Sequence, residues 1–155
     1  MKRVLALLIA AVTVVSVLML AGCSLSKKAI TVDEFKSKME KNKFEIVDIK
    51  GDGISESNGF KAWTAAKKDE YHLEFYELES AELAARFYDN NVETAKDEGG
   101  VSTSSTISGQ NYSKFSGTGA EYYYLISRVE NTVLFIKVDP KYSDNVKADA
   151  ELIGY

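Results

Sequence analysis

Between Glu121 and Asp139 the chain reads EYYYLISRV, then Glu130-Asn131, then TVLFIKVD. Two apolar runs rich in aromatic and β-branched residues, separated by only two residues, leave a tight antiparallel hairpin as the natural fold. Asn tolerates a positive φ, so the turn falls at Glu130-Asn131, with strands over 121–129 and 132–139. Pro140, the single proline, ends the second strand.

The rest of the pattern extends this hairpin into a sheet with helices. Thr31-Val32-Asp33-Glu34 is a capping-box signature, and Val32, Phe35 and Met39 line one helical face, so a helix is predicted over 31–42. Residues 44–50, FEIVDIK, read as a strand closed by Gly51-Asp52-Gly53. Strands over 60–67 and 71–78 follow, joined by a polar turn at Lys68-Asp69-Glu70. In the second, Tyr71, Leu73 and Phe75 alternate with His72, Glu74 and Tyr76, which predicts a sheet with one solvated face. Ser80 caps a helix over 81–97 that Gly99-Gly100 terminates. Residues 101–120 are rich in Ser, Thr and Gly and carry only a weak strand signal near 111–116. A last helix spans 143–153, with Val146, Ala150 and Ile153 at helical spacing. Short turns between consecutive strands imply mostly antiparallel pairing. The expectation is a two-layer α+β domain of order α-β-β-β-α-β-β-β-α, with the helices on one face of the sheet.

The first thirty residues carry an address. Lys2 and Arg3 precede a run from Val4 to Ala21 broken only by Thr13 and Ser16, followed by small residues and Cys23, the one cysteine. Positive charge, apolar core and small cleavage-site residues in that order describe a secretory signal peptide. The run is slightly short for a spanning helix of about 20 residues, and no basic stop-transfer cluster follows it directly. Leu20-Ala21-Gly22-Cys23 resembles the lipobox of bacterial lipoproteins. The resemblance covers residues 1–23 only. It implies that the Cys23 thiol receives a diacylglyceryl group and that a signal peptidase removes residues 1–22. Residues 23–30 would then be the lipidated cysteine and a short tether, and residues 31–155 a single domain. The chain would be held on the outer, extracytoplasmic face of a cell membrane without spanning it. A lone thiol fits this: no second cysteine offers a disulfide partner, and two acyl chains anchor stably where one does not. The seven residues Ser24–Ile30 reach at most about 25 Å.

Composition narrows the partners. Cleavage before Cys23 leaves 133 residues with 17 basic and 23 acidic side chains, a net charge of −6. Such a surface disfavours nucleic acid, which needs positive charge. Sixteen of the 19 basic residues are Lys, a bias that suits a low-GC Gram-positive source. The hairpin and short helix ending Leu152-Ile153-Gly154-Tyr155 also resemble small Gram-positive lipoproteins, a likeness that implies no activity.

No catalytic constellation stands out. His72, the single histidine, sits beside Glu74 on a strand, an arrangement that a general base oriented by a carboxylate would use, but the favoured reading is an exposed strand histidine. No G-x-S-x-G marks a nucleophile, and no zinc-ligand spacing occurs. Residues 48–56, DIKGDGISE, lack the Asp/Asn ladder of a calcium loop. Asp89, Glu93 and Asp97 read as a solvated helix stripe, and no cofactor motif is present. The aromatic residues are the more distinctive feature. If Tyr123 and Leu125 face the core, Tyr122 and Tyr124 stand on the opposite face, where Trp63 and Tyr76 join them if the registers agree. Such a face suits a peptide or a sugar ring. The expectation is a non-catalytic lipoprotein that binds a membrane protein or cell-wall partner, with a carboxylate-dependent hydrolase or glycan-binding domain as the alternative.

Overall fold

The computed structural model describes residues 26–49 and 53–155. Leu20, Ala21, Gly22 and Cys23 lie outside the described residues, as do Gly51 and Asp52 of the glycine loop. The described residues form helix α1 (Val32–Lys41), strands β1 (Glu45–Val47), β2 (Phe60–Lys68) and β3 (Tyr71–Leu78), helix α2 (Ala81–Asp97), strands β4 (Thr103–Ser108), β5 (Tyr112–Thr118), β6 (Tyr123–Val129) and β7 (Thr132–Val138), and helix α3 (Ser143–Ile153). The strands make one open sheet in the order β1-β2-β3-β7-β6-β5-β4, antiparallel throughout.

The helix boundaries follow from capping chemistry. The Thr31 hydroxyl accepts from the Glu34 N–H at 3.2 Å, and the Glu34 carboxylate accepts from the Thr31 N–H at 2.9 Å, which satisfies two orphan donors at once. Ser80 accepts from the Leu83 N–H at 3.2 Å at the head of α2. α3 stops at Gly154 (φ +92°), where the Tyr155 N–H reaches back to the Ala150 carbonyl at 2.9 Å. This is the left-handed termination that glycine permits.

The helices cover both faces of the sheet, a correction to the two-layer expectation. Phe35 and Met39 of α1 and Val146, Ala150 and Ile153 of α3 pack on one face, against Leu73, Phe75, Leu125 and Ile136. Ala84, Tyr88 and Ala95 of α2 pack on the other, against Tyr76, Tyr124, Ile126 and Val133. The physical reason lies in the connection. β3 is the third strand from one edge of the sheet and β4 forms the other edge, so the chain between them must cross, and α2 is that crossing. β6 accordingly has no solvated face: six of its seven residues are buried. The alternation in β3 misled because His72 and Glu74 lie beyond the reach of α2, whereas Tyr76, on the same face, lies under it.

Two further differences concern strands. The 101–120 segment forms two strands, β4 and β5, where the sequence suggested one, so the order becomes α-β-β-β-α-β-β-β-β-α. At the β6–β7 turn it is Glu130 that takes the positive φ (+52°), not Asn131. Asn131 instead clamps the end of β3: its side-chain amide donates to the Leu78 carbonyl at 2.9 Å, and its own carbonyl accepts from the Leu78 N–H at 2.9 Å.

Both ends of the described chain are tied down at one corner. The Lys27 N–H donates to Asn111 Oδ1 at 2.9 Å, Asn111 Nδ2 returns a bond to the Lys27 carbonyl at 2.7 Å, and Lys27 Nζ donates to the Gly154 carbonyl at 3.0 Å. Ile30 is buried in the α1–α3 core. Lys27 and Ile30 thus both belong to the packed domain. Tyr155 closes the same core, its ring edge-on to Phe75 at 5.5 Å and its hydroxyl bonded to that of Thr132.

Candidate functional site: a groove at the β2 edge

β1 is only three residues long and pairs with Ala65–Lys67 alone, so among the described residues the Phe60–Thr64 half of β2 has no strand on its outer side. The chain leaves the sheet after Val47. Trp63 Nε1 donates to the Ile49 carbonyl at 3.3 Å, and the Thr64 hydroxyl to the Val47 carbonyl at 3.4 Å, which fixes the direction of departure. A groove of about 710 Å³ opens in the space left. The first turn of α1 (Thr31, Asp33, Lys36) forms one wall, Asp48, Ile49 and Glu56 another, and Lys61, Ala62, Trp63 and Glu77 the floor.

The floor carries a bulge at Lys61, between the pairs Phe60↔Leu78 and Ala62↔Glu77. The bulge brings Lys61 Nζ to 2.8 Å from Glu77 Oε1, with the Glu77 side chain 11% exposed. The Glu77 carboxylate holds the Lys61 ammonium above its usual range. The chain reaches the bulge through Gly59, at φ +82°, where a Cβ would stand 2.6 Å from Leu83 Cδ1. The groove thus combines acids (Asp33, Asp48, Glu56), lysines (Lys36, Lys61) and one half-buried indole beside a strand edge that no described strand pairs. It can offer backbone and charged hydrogen bonds to an extended polar chain and a flat apolar contact to a ring.

The four aromatic residues expected on one open face do not form one. Tyr76 (3% exposed) and Tyr124 (4% exposed) are buried under α2, which corrects the open-face expectation. Trp63 and Tyr76 join Phe60 and Phe87 in an aromatic cluster, with Phe60 to Trp63 at 6.4 Å and Tyr76 to Phe87 at 5.0 Å. Tyr122 and Tyr124 form a separate edge-on pair at 6.3 Å, and Lys137 Nζ lies 4.2 Å from the Tyr122 ring centroid and 5.7 Å from that of Tyr124. Of the four, Trp63 lines the groove and Tyr122 is exposed.

His72 closes a hydrogen-bonded line along β3. Its Nε2 is 3.0 Å from Glu74 Oε1, and the Tyr76 hydroxyl donates to Glu74 Oε2 at 2.6 Å. The bond to Glu74 raises the imidazole above its ordinary pKa against the opposing effect of partial burial. The shallow depression beside it, about 310 Å³, is lined by Val47, Asp48, Ile49, Ala65, Lys67, His72 and Glu74, none of which is a hydroxyl or thiol nucleophile. Asp89, Glu93 and Asp97 are exposed on α2, and among the described residues no three His, Cys, Asp or Glu side chains gather to hold a metal ion.

The groove was hidden from sequence reasoning, because it depends on how far β1 runs along β2. The one local hint is Asp48, a charge that interrupts FEIVDIK. No family model matches the chain, and neither a curated protein nor a solved structure matches it.

Proposed function

We propose that this chain is a lipid-anchored extracytoplasmic protein of a Gram-positive cell membrane. Its α+β domain would act as a non-catalytic binding module that takes a protein partner in the β2-edge groove. The observation that carries the reading is Leu20-Ala21-Gly22-Cys23 behind a basic start and an apolar run. Diacylglyceryl on Cys23 would hold the domain on the membrane through two acyl chains. Thr31, in the groove wall, follows Cys23 by eight residues, so the groove would lie within about 29 Å of the attachment point. A partner segment entering it would meet a strand edge, and adding a strand to an exposed edge is a recurrent mode of peptide capture.

Trp63 and the acids Asp33, Asp48 and Glu56 in the same groove favour a second reading, a cell-wall glycan bound or hydrolysed there. Cross-linking on intact cells followed by mass spectrometry separates the two. Recovery of one membrane protein, lost in a Lys61→Glu variant, supports the first; recovery of wall fragments alone supports the second. The anchor is tested by fractionation. The wild-type chain is expected in the membrane fraction at its processed size, and Cys23→Ala is expected to keep its leader or leave the membrane. A Cys23→Ala chain that stays membrane-bound at the processed size would overturn the lipoprotein reading.

A further inference from the structure

Among the described residues the sheet ends on β4, and none of them covers this edge. All six residues of β4 are exposed, and the strand is paired on one side only. Protein sheets usually blunt such an edge with Lys, Pro, a bulge or a cover. Here the thirteen residues from Val101 to Ser113 include neither a charge nor a proline, and the β4–β5 ladder runs through six consecutive pairs without a bulge.

The ladder also shows which peptide groups point outward. The Gly109 N–H donates to the Tyr112 carbonyl at 2.9 Å, one step beyond the pair Ser108↔Ser113. Hydrogen-bonded positions alternate along an antiparallel strand. Thr103, Ser105 and Ile107 therefore bond to β5, and Ser104, Thr106 and Ser108 present their N–H and C=O groups to the outside.

We infer that this edge docks a strand, and that the strand is β4 of a second copy of this chain. The two copies pair antiparallel about a two-fold axis through Thr106. In this register Thr106 meets its own counterpart and Ser104 meets the other copy's Ser108, so all three outward residues of each copy are satisfied and none is left over. An isologous contact of this kind closes on itself as a dimer. Cross-strand Thr and Ser pairs stabilise such ladders. The chain carries a net charge of −4, and β4 is a stretch where two copies approach without opposing charges. The axis of an edge-to-edge antiparallel pair stands perpendicular to the sheet, so both copies hold α1, α3 and Lys27 on the same side. On the anchor reading of Cys23, which this one point uses and the pairing itself does not need, two chains tethered to one membrane meet without inversion.

The test is thiol cross-linking of the full chain in cells. Thr106→Cys is expected to give a dimer under mild oxidation or with a short bis-thiol reagent, because the opposed Cα atoms of a bonded pair, about 5.5 Å apart, are within disulfide reach. Ser104→Cys alone is expected to cross-link at least about tenfold more slowly, and Ser104→Cys co-expressed with Ser108→Cys to cross-link well. Thr106→Pro, which removes an outward N–H and no bond to β5, is expected to abolish the dimer and leave the fold intact. Equal cross-linking of Ser104→Cys and Thr106→Cys, or capture of a different protein at Thr106→Cys, would overturn the proposal. The wild-type chain is the control: a dimer formed through Cys23 alone would count against the anchor and not against the β4 contact.

Discussion

Tyr155 should be among the costliest positions in the domain to truncate. It is 1% exposed, its ring stands edge-on to Phe75, and Phe75 is stacked on Phe35 at 4.7 Å, so the three rings bridge α3, the sheet and α1. Replacing it with Ala removes a phenol from a packed site whose neighbours are held by other elements, and large-to-small changes of this kind cost about 3–5 kcal/mol. Against a total of about 5–15 kcal/mol for a single domain, that is a large fraction. Tyr155→Phe keeps the ring and removes the hydroxyl. The Thr132 hydroxyl still donates to the Val129 carbonyl at 2.7 Å, so the loss should be the hydroxyl's two hydrogen bonds, to Thr132 and to the Ile30 backbone, about 2 kcal/mol. Lys27 and Lys114 bond to backbone carbonyls of Gly154 and Tyr155 and are untouched by either change. Urea unfolding followed through Trp63, the single tryptophan, reads both variants. The expected result is a midpoint far lower for Ala than for Phe, with the slope unchanged. A Tyr155→Ala cost below about 1 kcal/mol would refute the argument, since it would mean that the site collapses freely or that Tyr155 is not packed as described.

Gly59→Ala combines a left-handed backbone with a Cβ 2.6 Å from Leu83. It should destabilise by about 1–3 kcal/mol and disturb the groove floor, seen as a shift in Trp63 emission. No shift and no loss would mean the bulge does not depend on that residue. The Glu74 bond raises the His72 imidazole above its ordinary pKa. The stabilisation it brings is therefore complete below the unfolded pKa and is lost as pH rises through the folded one. His72 is about half exposed, so the effect should stay below about 1 kcal/mol. An NMR titration of the single imidazole should show a midpoint above 6.5 in the wild type that falls in Glu74→Gln; an unchanged midpoint would remove Glu74 as the cause.

Local chemistry was legible in the sequence and long-range placement was not. Ser80 and the Gly99-Gly100 stop located α2, and Thr31 with Glu34 located the start of α1, because a cap is decided by residues a few positions apart. β3 was equally plain from its alternation. β4 escaped because TSSTIS packs nothing on either face, so no burial pattern was there to read. The face that α2 covers was misjudged for the opposite reason. Tyr76 and Tyr124 have polar tips that suit solvent, and only the crossing of the chain from β3 to β4 buries them. The groove is further still from local signals, since it exists where β1 stops.

The clamp at Lys27 has a mechanical consequence. A pull that reaches Lys27 meets a residue fastened to the β4–β5 turn through Asn111 and to the end of α3 through Gly154. Three hydrogen bonds at one residue share the force, and Ile30 must leave the core before α1 is disturbed. Tension that reaches Lys27 is thus divided between two distant parts of the chain, and the groove wall at Thr31 lies downstream of that fastening.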